Sequence, residues 1–512
     1  MSPAPRDGPE RLFETAHVVK DLKRLVLQGG LMKILSQAFK FGLRVAGLVV
    51  MARLVTPGDY GIFAMVATLT GLLAMLKDAG LSKATVQSKT ITHEDISTLF
   101  WVNVAVGAAL AAVTAALAPA LAWFYGDPRI TAPVVAMGFS FFFSAFATQH
   151  TALLHRQMRF KTLESISVAS QLAGAVAMLG SAYLGAGYWS LVFNVLMMRA
   201  ANTALVLAAA GWRPGWPSGA HGASAMLRFG RDLSGYNAVS YLQRNLDNIL
   251  IGRFCSALDL GLYVKAYGLL RMPIMQIQEP ISSLVVPALS RLQDDPQRYR
   301  SYFLKATKAV VFVGMPLVAF TAIASREILL ILLGERWLGS VPIFQALIPA
   351  AFVGTMDMIT GWVFLSRGRT DLMLRLGAVN FLVVAAAFVY GLPAGPFGVA
   401  AAYSVAYCLL SLPSMAFALK HSPITLGDVL SAVWRPAALS IASALFVLWL
   451  KTSFAGPQLP ILRLALDAGL YGGAHALLWA LIPGGRQHIG AIASPVLDAA
   501  RSFLRKPPSL SA

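Results

Sequence analysis

The sequence predicts an all-α polytopic membrane protein of about fourteen transmembrane helices. Two six-helix lobes related as parallel repeats are followed by two C-terminal helices, with the N- and C-termini cytoplasmic. Three observations predict this. The 512 residues are 57% hydrophobic and only 13% charged, with a mean hydropathy of +0.65, outside the range of soluble domains. The charges are gathered between apolar runs of about 20 residues, the length that spans a bilayer as a helix. Finally, the stretch from Arg53 to Ser82 is echoed two hundred residues later. Arg253 falls where Arg53 was, Asp259 where Asp59 was, and Gly261 where Gly61 was. An internal repeat of that length changes the fold class and is weighed before any motif.

In order along the chain, residues 1–30 are a basic N-terminus. Within residues 10–27, Leu12, Phe13, Val18, Val19, Leu22, Leu25 and Val26 fall near one helical face, with Lys20, Lys23 and Arg24 opposite. That pattern suits a helix lying on the inner membrane surface; a solvated helix is the alternative. The N-lobe, 31–210, holds spans at 31–53, 60–82, 97–123, 131–154, 166–184 and 187–210. Thr56-Pro57-Gly58-Asp59 is expected as an outside hairpin between the first two. A polar inter-lobe connector, 211–233, leads to the C-lobe, 234–420. Its spans are expected at 234–254, 261–287, 306–325, 341–365, 372–391 and 397–419. Two more follow at 434–450 and 462–482 within 421–482, and 483–512 is a cytoplasmic tail.

Loop charges orient the chain. With the N-terminus inside, the inside loops hold Lys83 and Lys89, then Arg156, Arg159 and Lys161, then Arg213, Arg228 and Arg231. Arg291, Arg298, Arg300, Lys305, Lys308, Arg367, Arg369 and Arg375 follow on the same side. The outside turns carry little beyond Arg129, Arg326, Arg336 and Lys451. This asymmetry is the positive-inside pattern. It also accounts for the net charge of +19, which would suggest nucleic acid in a soluble chain. Cys255 and Cys408 form no metal spacing and no disulfide framework. The charged N-terminus lacks the apolar core of a cleavable signal peptide.

The repeat recurs at further landmarks. Phe124-Tyr125-Gly126-Asp127 after the third span matches Leu333-Gly334-Glu335-Arg336 after the ninth. His155-Arg156-Gln157-Met158-Arg159 after the fourth matches Ser366-Arg367-Gly368-Arg369 after the tenth. Six helices is an even number, so both copies enter from the same side. Such parallel repeats, related by an axis along the membrane normal, suit alternating access around a central cavity.

Ionisable residues at membrane depth mark the candidate site, since each costs about 2.5–3.5 kcal/mol at a helix centre. The first span carries Lys33, Gln37, Lys40 and Arg44 on one face. The second carries Lys77 and Asp78, and the seventh Gln243, Arg244, Asn245, Asp247 and Asn248. The eighth carries Lys265, Arg271, Gln276, Gln278 and Glu279, while Arg199 and Asp357 lie in the sixth and tenth. The first and second spans correspond in the repeat to the seventh and eighth. Lys40, Arg44, Lys77, Arg199, Arg244 and Arg271 are the substrate-binding cations expected of a basic cavity; Arg in particular suits phosphate. Asp78, Asp247, Glu279 and Asp357 are coupling-ion or charge-pair candidates. Other readings stay open: Lys77 with Asp78 as a local pair, Arg244 pairing with Asp247 or Asn248, Lys33 and Lys265 reaching to an interface, and Arg199 as a packing residue. No Gly-rich phosphate loop, HExxH, Ser-centred elbow or paired acidic motif on a sizeable outside loop occurs, so no enzyme chemistry, cofactor or metal is expected.

Residues 54–107, opening LVTPGDYGIFAMVATLTGLLAMLKDAG, together with WFYGDPRI at 123–130 and LLHRQMRFKTLESI at 153–166, resemble bacterial polysaccharide repeat-unit flippases. These belong to the multidrug/oligosaccharidyl-lipid/polysaccharide exporter superfamily. The resemblance runs to about residue 420 and is most specific over 50–165. It implies a multi-pass protein of the bacterial inner membrane. The implied cargo is an undecaprenyl-diphosphate-linked oligosaccharide for exopolysaccharide, capsule or lipopolysaccharide assembly, with membrane lipids, a polymerase and export machinery as partners. Within the superfamily, a lipid II flippase and a cation-coupled multidrug exporter are the alternatives. A membrane glycosyltransferase or polysaccharide polymerase is the less favoured reading, because this chain lacks the acidic outside loops such enzymes need.

Overall fold

The computed structural model describes residues 22–76, 85–86, 91–217, 241–420, 422–454, 456–483 and 485. Among these, all regular structure is helical. In chain order the helices are α1 (Leu22–Leu54), α2 (Pro57–Leu76), α3 (His93–Tyr125), α4 (Thr131–Arg156), α5 (Phe160–Tyr183), α6 (Trp189–Ala210) and α7 (241–254). They continue as α8 (Ala257–Arg291), α9 (Pro296–Ile323), α10 (Ser340–Gly354), α11 (Asp357–Ser366), α12 (Thr370–Gly391), α13 (Gly395–Leu419), α14 (Leu426–Ser453) and α15 (Pro460–Leu481). A short helix, Ser325–Leu332, follows α9.

Among the described residues, eleven stretches are long and apolar enough to cross a membrane, and one of them, Thr370–Leu419, holds both α12 and α13. The expected seventh span, 234–254, lies partly outside the described residues, and α8, also expected as a span, falls short of that measure. α8 is too polar for it, with Asp259, Lys265, Arg271 and Glu279 along its length. The expected span 341–365 is two helices, α10 and α11, broken at Thr355-Met356. α1 runs without a break through Gly29 and Gly30, where a separate interfacial helix was expected to end.

The outside hairpin expected at 56–59 is a helix start. The connection is only Val55-Thr56, and Pro57 opens α2. Thr56 Oγ1 accepts from Asp59 N at 3.2 Å while Asp59 Oδ2 accepts from Thr56 N at 3.2 Å. This is a capping box with proline at the first helical position. The same box stands two hundred residues on. Ser256 Oγ accepts from Asp259 N at 3.1 Å, and Asp259 Oδ2 from Ser256 N at 3.2 Å. A hydroxyl and a carboxylate three residues apart satisfy the orphan amides in both copies.

The second landmark also repeats in three dimensions. Arg159 N donates to Leu154 O at 3.0 Å and Arg369 N to Phe364 O at 2.9 Å, closing the ends of α4 and α11 with the same six-residue loop. The left-handed position is Gly368 (φ 66°) in one copy and Met158 (φ 52°) in the other.

Contacts divide the chain into two compact units. One runs to Val264 and includes Leu332–Arg336; the other comprises Lys265–Ile331 and the chain from Trp337 onward. In the first, α1 packs on α5, α3 on α4, and α6 on both α4 and α5. In the second, α9 packs on α10, and α13 on both α10 and α12. The pattern of the third to sixth spans thus recurs in the ninth to twelfth. Helices in a membrane approach closely where small residues face each other. A Cβ on Gly107 would lie 2.5 Å from the Ala145 Cβ, and one on Gly391 would lie 2.3 Å from Gly398 O. In the second unit a core of Tyr299, Phe303, Met315, Trp362 and Val429 joins α9, α11 and α14.

Charge fastens the last two helices to their unit. Lys451 Nζ on α14 lies 2.8 Å from Asp467 Oδ2 on α15 and 3.4 Å from Glu327 Oε1, which Arg463 Nε meets at 3.1 Å. Between α3 and α4, Asp127 caps the turn Pro128–Ile130, and Arg129 binds its carboxylate. That hydrogen bond holds the Asp127 carboxyl below the usual carboxylate range.

Candidate functional site

In the first unit, α1 presents Lys33, Gln37 and Arg44 as exposed side chains. Lys40, on the same helix, does not stand free. Its Nζ lies 2.9 Å from Glu164 Oε2 and 3.3 Å from Ser167 Oγ, both on α5, and Ser36 donates to the same carboxylate. Glu164 escaped the sequence reading because the fifth span was started at residue 166. α5 begins at Phe160, which puts Glu164 inside the helix and against α1. Lys40 is therefore held by an interhelical pair, with side chains 15% and 20% exposed.

α7 sorts its polar residues by face. Asp247 is buried, accepting from Tyr263 Oη at 2.9 Å and from Asn248 N at 2.8 Å. Asn245 donates to Tyr241 O and Asn248 to Asn245 Oδ1, so the amides bond along the helix. Arg244 is exposed. Tyr241 seats α7 on α2: its hydroxyl lies 2.1 Å from where a Cβ on Gly71 would be. Arg199 on α6 is also exposed. Among the described residues, Arg44, Arg199 and Arg244 have no hydrogen-bonded or ion-paired partner. Lys77 and Asp78 lie outside the described residues.

In the second unit, Lys265 Nζ stands 6.0 Å over the Trp337 ring, and Arg271 lies 5.9 Å over Tyr267. Arg271 and Glu279 are exposed. Asp357 opens α11 at the break in the tenth span, and its carboxylate meets the Tyr407 hydroxyl from α13. Gln278 Nε2 on α8 donates to Gly354 O at 3.3 Å, satisfying a carbonyl that the break frees. Tyr403 and Tyr407, missed at first reading, are one turn apart on α13; that four-residue spacing was the available signal.

Ionisable side chains within a membrane helix are costly against lipid. The first unit offers three exposed arginines with no ion-pair partner among the described residues. The second offers a mixed set, with the acids Asp357 and Glu279, cations over aromatic rings, and tyrosines.

Residues 50–342 match the model of the family described as polysaccharide biosynthesis protein. The chain belongs to that family. Arg199, Arg244 and Arg271 fall inside the matched region, while Lys40, Arg44 and Asp357 fall outside it. Of this family member's relatives, the lipopolysaccharide biosynthesis protein WzxC of Escherichia coli (strain K12) is 22% identical over 430 residues, covering 82% of this chain and 86% of that one. The succinoglycan biosynthesis transport protein ExoT of Rhizobium meliloti (strain 1021) is 23% identical over 314 residues, covering 61% and 64%. In fold, this polysaccharide biosynthesis family member resembles the lipid II flippase MurJ in an inward closed conformation. That match has a TM-score of 0.71 at 13% identity, over 88% of this chain and 97% of that one. An inward-facing multidrug resistance MATE family transporter of the MOP superfamily matches at a TM-score of 0.57 and 12% identity, over 78% and 95%. The fold is therefore that of these polytopic helical transporters.

Proposed function

We propose that this protein is a flippase. It translocates undecaprenyl-diphosphate-linked oligosaccharide units from the cytoplasmic to the outer leaflet of a bacterial inner membrane, by alternating access, for exopolysaccharide, capsule or lipopolysaccharide assembly. The observation that carries the reading is the presence within the membrane helices of three exposed arginines, Arg44, Arg199 and Arg244, with no hydrogen-bonded or ion-paired partner among the described residues. A diphosphate suits planar guanidinium groups, whose forked donors match phosphate oxygens. The names of the relatives, which speak of polysaccharide biosynthesis and transport, support the same cargo class. Both termini lie in the cytoplasm, and a polymerase and export machinery receive the cargo on the far side. A cation-coupled drug exporter shares the fold, but a basic face repels the cationic cargo such exporters carry.

The test is depletion of the protein in its own cell, followed by measurement of lipid-linked oligosaccharide on each leaflet. Accumulation on the cytoplasmic leaflet is expected. Its absence ends the flippase reading, and accumulation of the lipid-linked peptidoglycan precursor instead assigns the chain to lipid II.

A further inference from the structure

The second unit carries a set of side chains that an anion does not call for. Tyr403 and Tyr407 on α13 lie with ring centroids 5.3 Å apart, and Tyr267 on α8 meets Tyr403 edge-on at 6.4 Å. Phe388, 4% exposed, stacks behind Tyr403 at 5.6 Å and 22°, fixing that ring in place. All three tyrosines are half-buried, so each keeps part of its surface accessible. Asp357 is solvent-accessible at the foot of the group, its carboxylate on the Tyr407 hydroxyl, and Arg271 covers Tyr267. The acid sits where α10 gives way to α11 through tight turns, Met356 N bonding Val353 O at 2.9 Å and Ile359 N bonding Met356 O at 3.0 Å. Such interruptions of a membrane helix accompany binding sites in transporters.

We propose that this cluster is a binding subsite for a neutral pyranose ring of the cargo. Three features select that ligand class. The formal charges of Arg271 and Asp357 cancel, so the cluster has no net attraction for a diphosphate, and the carboxylate repels one locally. A carboxylate with Tyr407 beside it accepts hydrogen bonds from sugar hydroxyls, and the guanidinium donates to them. A tyrosine braced from behind offers a flat apolar face at little entropic cost, matching the C–H face of a pyranose. An apolar lipid chain would desolvate the Asp357 carboxylate without offering it a donor. The inference rests on the flippase reading for the source of the sugar, but its test does not.

The experiment uses the full chain in lipid nanodiscs. Saturation-transfer NMR is recorded against a panel of methyl glycosides: glucoside, galactoside, mannoside, fucoside and N-acetylglucosaminide. Transfer to the ring protons of at least one is expected. Tyr403→Leu keeps apolar bulk without a ring and is expected to lower the transfer at least fivefold, as is Asp357→Asn. Tyr403→Phe keeps the ring and is expected to retain it. A thermal melt of each variant identifies any that fail to fold. No transfer from any glycoside to the wild type overturns the subsite, as does equal transfer in folded Tyr403→Leu and Tyr403→Phe. If depletion still traps oligosaccharide on the cytoplasmic leaflet while transfer is absent, the subsite alone fails. If transfer is present and nothing is trapped, the flippase reading alone fails.

Discussion

Lys40 Nζ on α1 lies 2.9 Å from Glu164 Oε2 on α5, and neither side chain is more than one-fifth exposed. Removing one partner of a largely desolvated pair leaves the other uncompensated. Lys40→Ala is therefore expected to cost about 1–3 kcal/mol of stability, less than the roughly 3–5 of a fully buried pair. The thermal midpoint in detergent reads this, and Lys40→Met with Glu164→Gln together should recover much of the loss. An unchanged midpoint with lost export would instead place Lys40 on the cargo.

Arg44 and Arg244 make no such pair among the described residues. Alanine at either position should abolish polymer export while membrane abundance, read by immunoblot, stays near wild type. Parallel loss of both would show that these arginines hold the fold.

Gly61 and Gly261 cross at the starts of α2 and α8. A Cβ on Gly61 would lie 1.7 Å from Ala257 O, and one on Gly261 would lie 1.8 Å from Pro57 O. Each glycine faces the residue equivalent to the one its counterpart faces, as a local two-fold requires. Alanine at either site overpacks backbone against backbone, at about 1–3 kcal/mol or more, and should lower the thermal midpoint. Gly268→Ala, with open space about its Cβ, is the control and should not.

Met158 holds φ 52° where its counterpart is Gly368. Left-handed backbone costs a residue with a side chain about 1–2 kcal/mol. Met158→Gly is expected to raise the thermal midpoint and Gly368→Met to lower it. A fall with Met158→Gly would mean that the methionine side chain contributes more by packing than its backbone loses.

Lys451 serves Asp467, which is 2% exposed, and Glu327, which is 6% exposed. Lys451→Met should destabilise by about 3–5 kcal/mol, because a buried carboxylate loses its counter-charge. Limited proteolysis should then cut near α14 and α15 first. Protection equal to wild type would mean that apolar packing alone holds these helices.

The helical spans were legible because a bilayer of fixed thickness demands runs of fixed length, and the repeat because arginine, hydroxyl, carboxylate and glycine recur at fixed offsets. Thr56 and Asp59 were legible as a pair, yet were read as a loop when the three-residue spacing is that of a capping box. The charged faces were legible too, since an ionisable residue within an apolar run stands out without any structure. Partners were not. Glu164 lies 124 positions from Lys40, and Tyr407 lies 50 from Asp357. Pairing across helices depends on which faces meet, and an apolar run carries little record of its own rotation.

The sequence by itself therefore determined the membrane class, the repeat and the residues too costly to place in lipid. The tertiary structure alone decided which of those charges are cancelled. Lys40 is bound to Glu164 and Asp247 to Tyr263, while Arg44, Arg199 and Arg244 remain exposed. The reason is distance: Coulombic and hydrogen-bond energies turn on ångströms between side chains, and helix packing sets those ångströms.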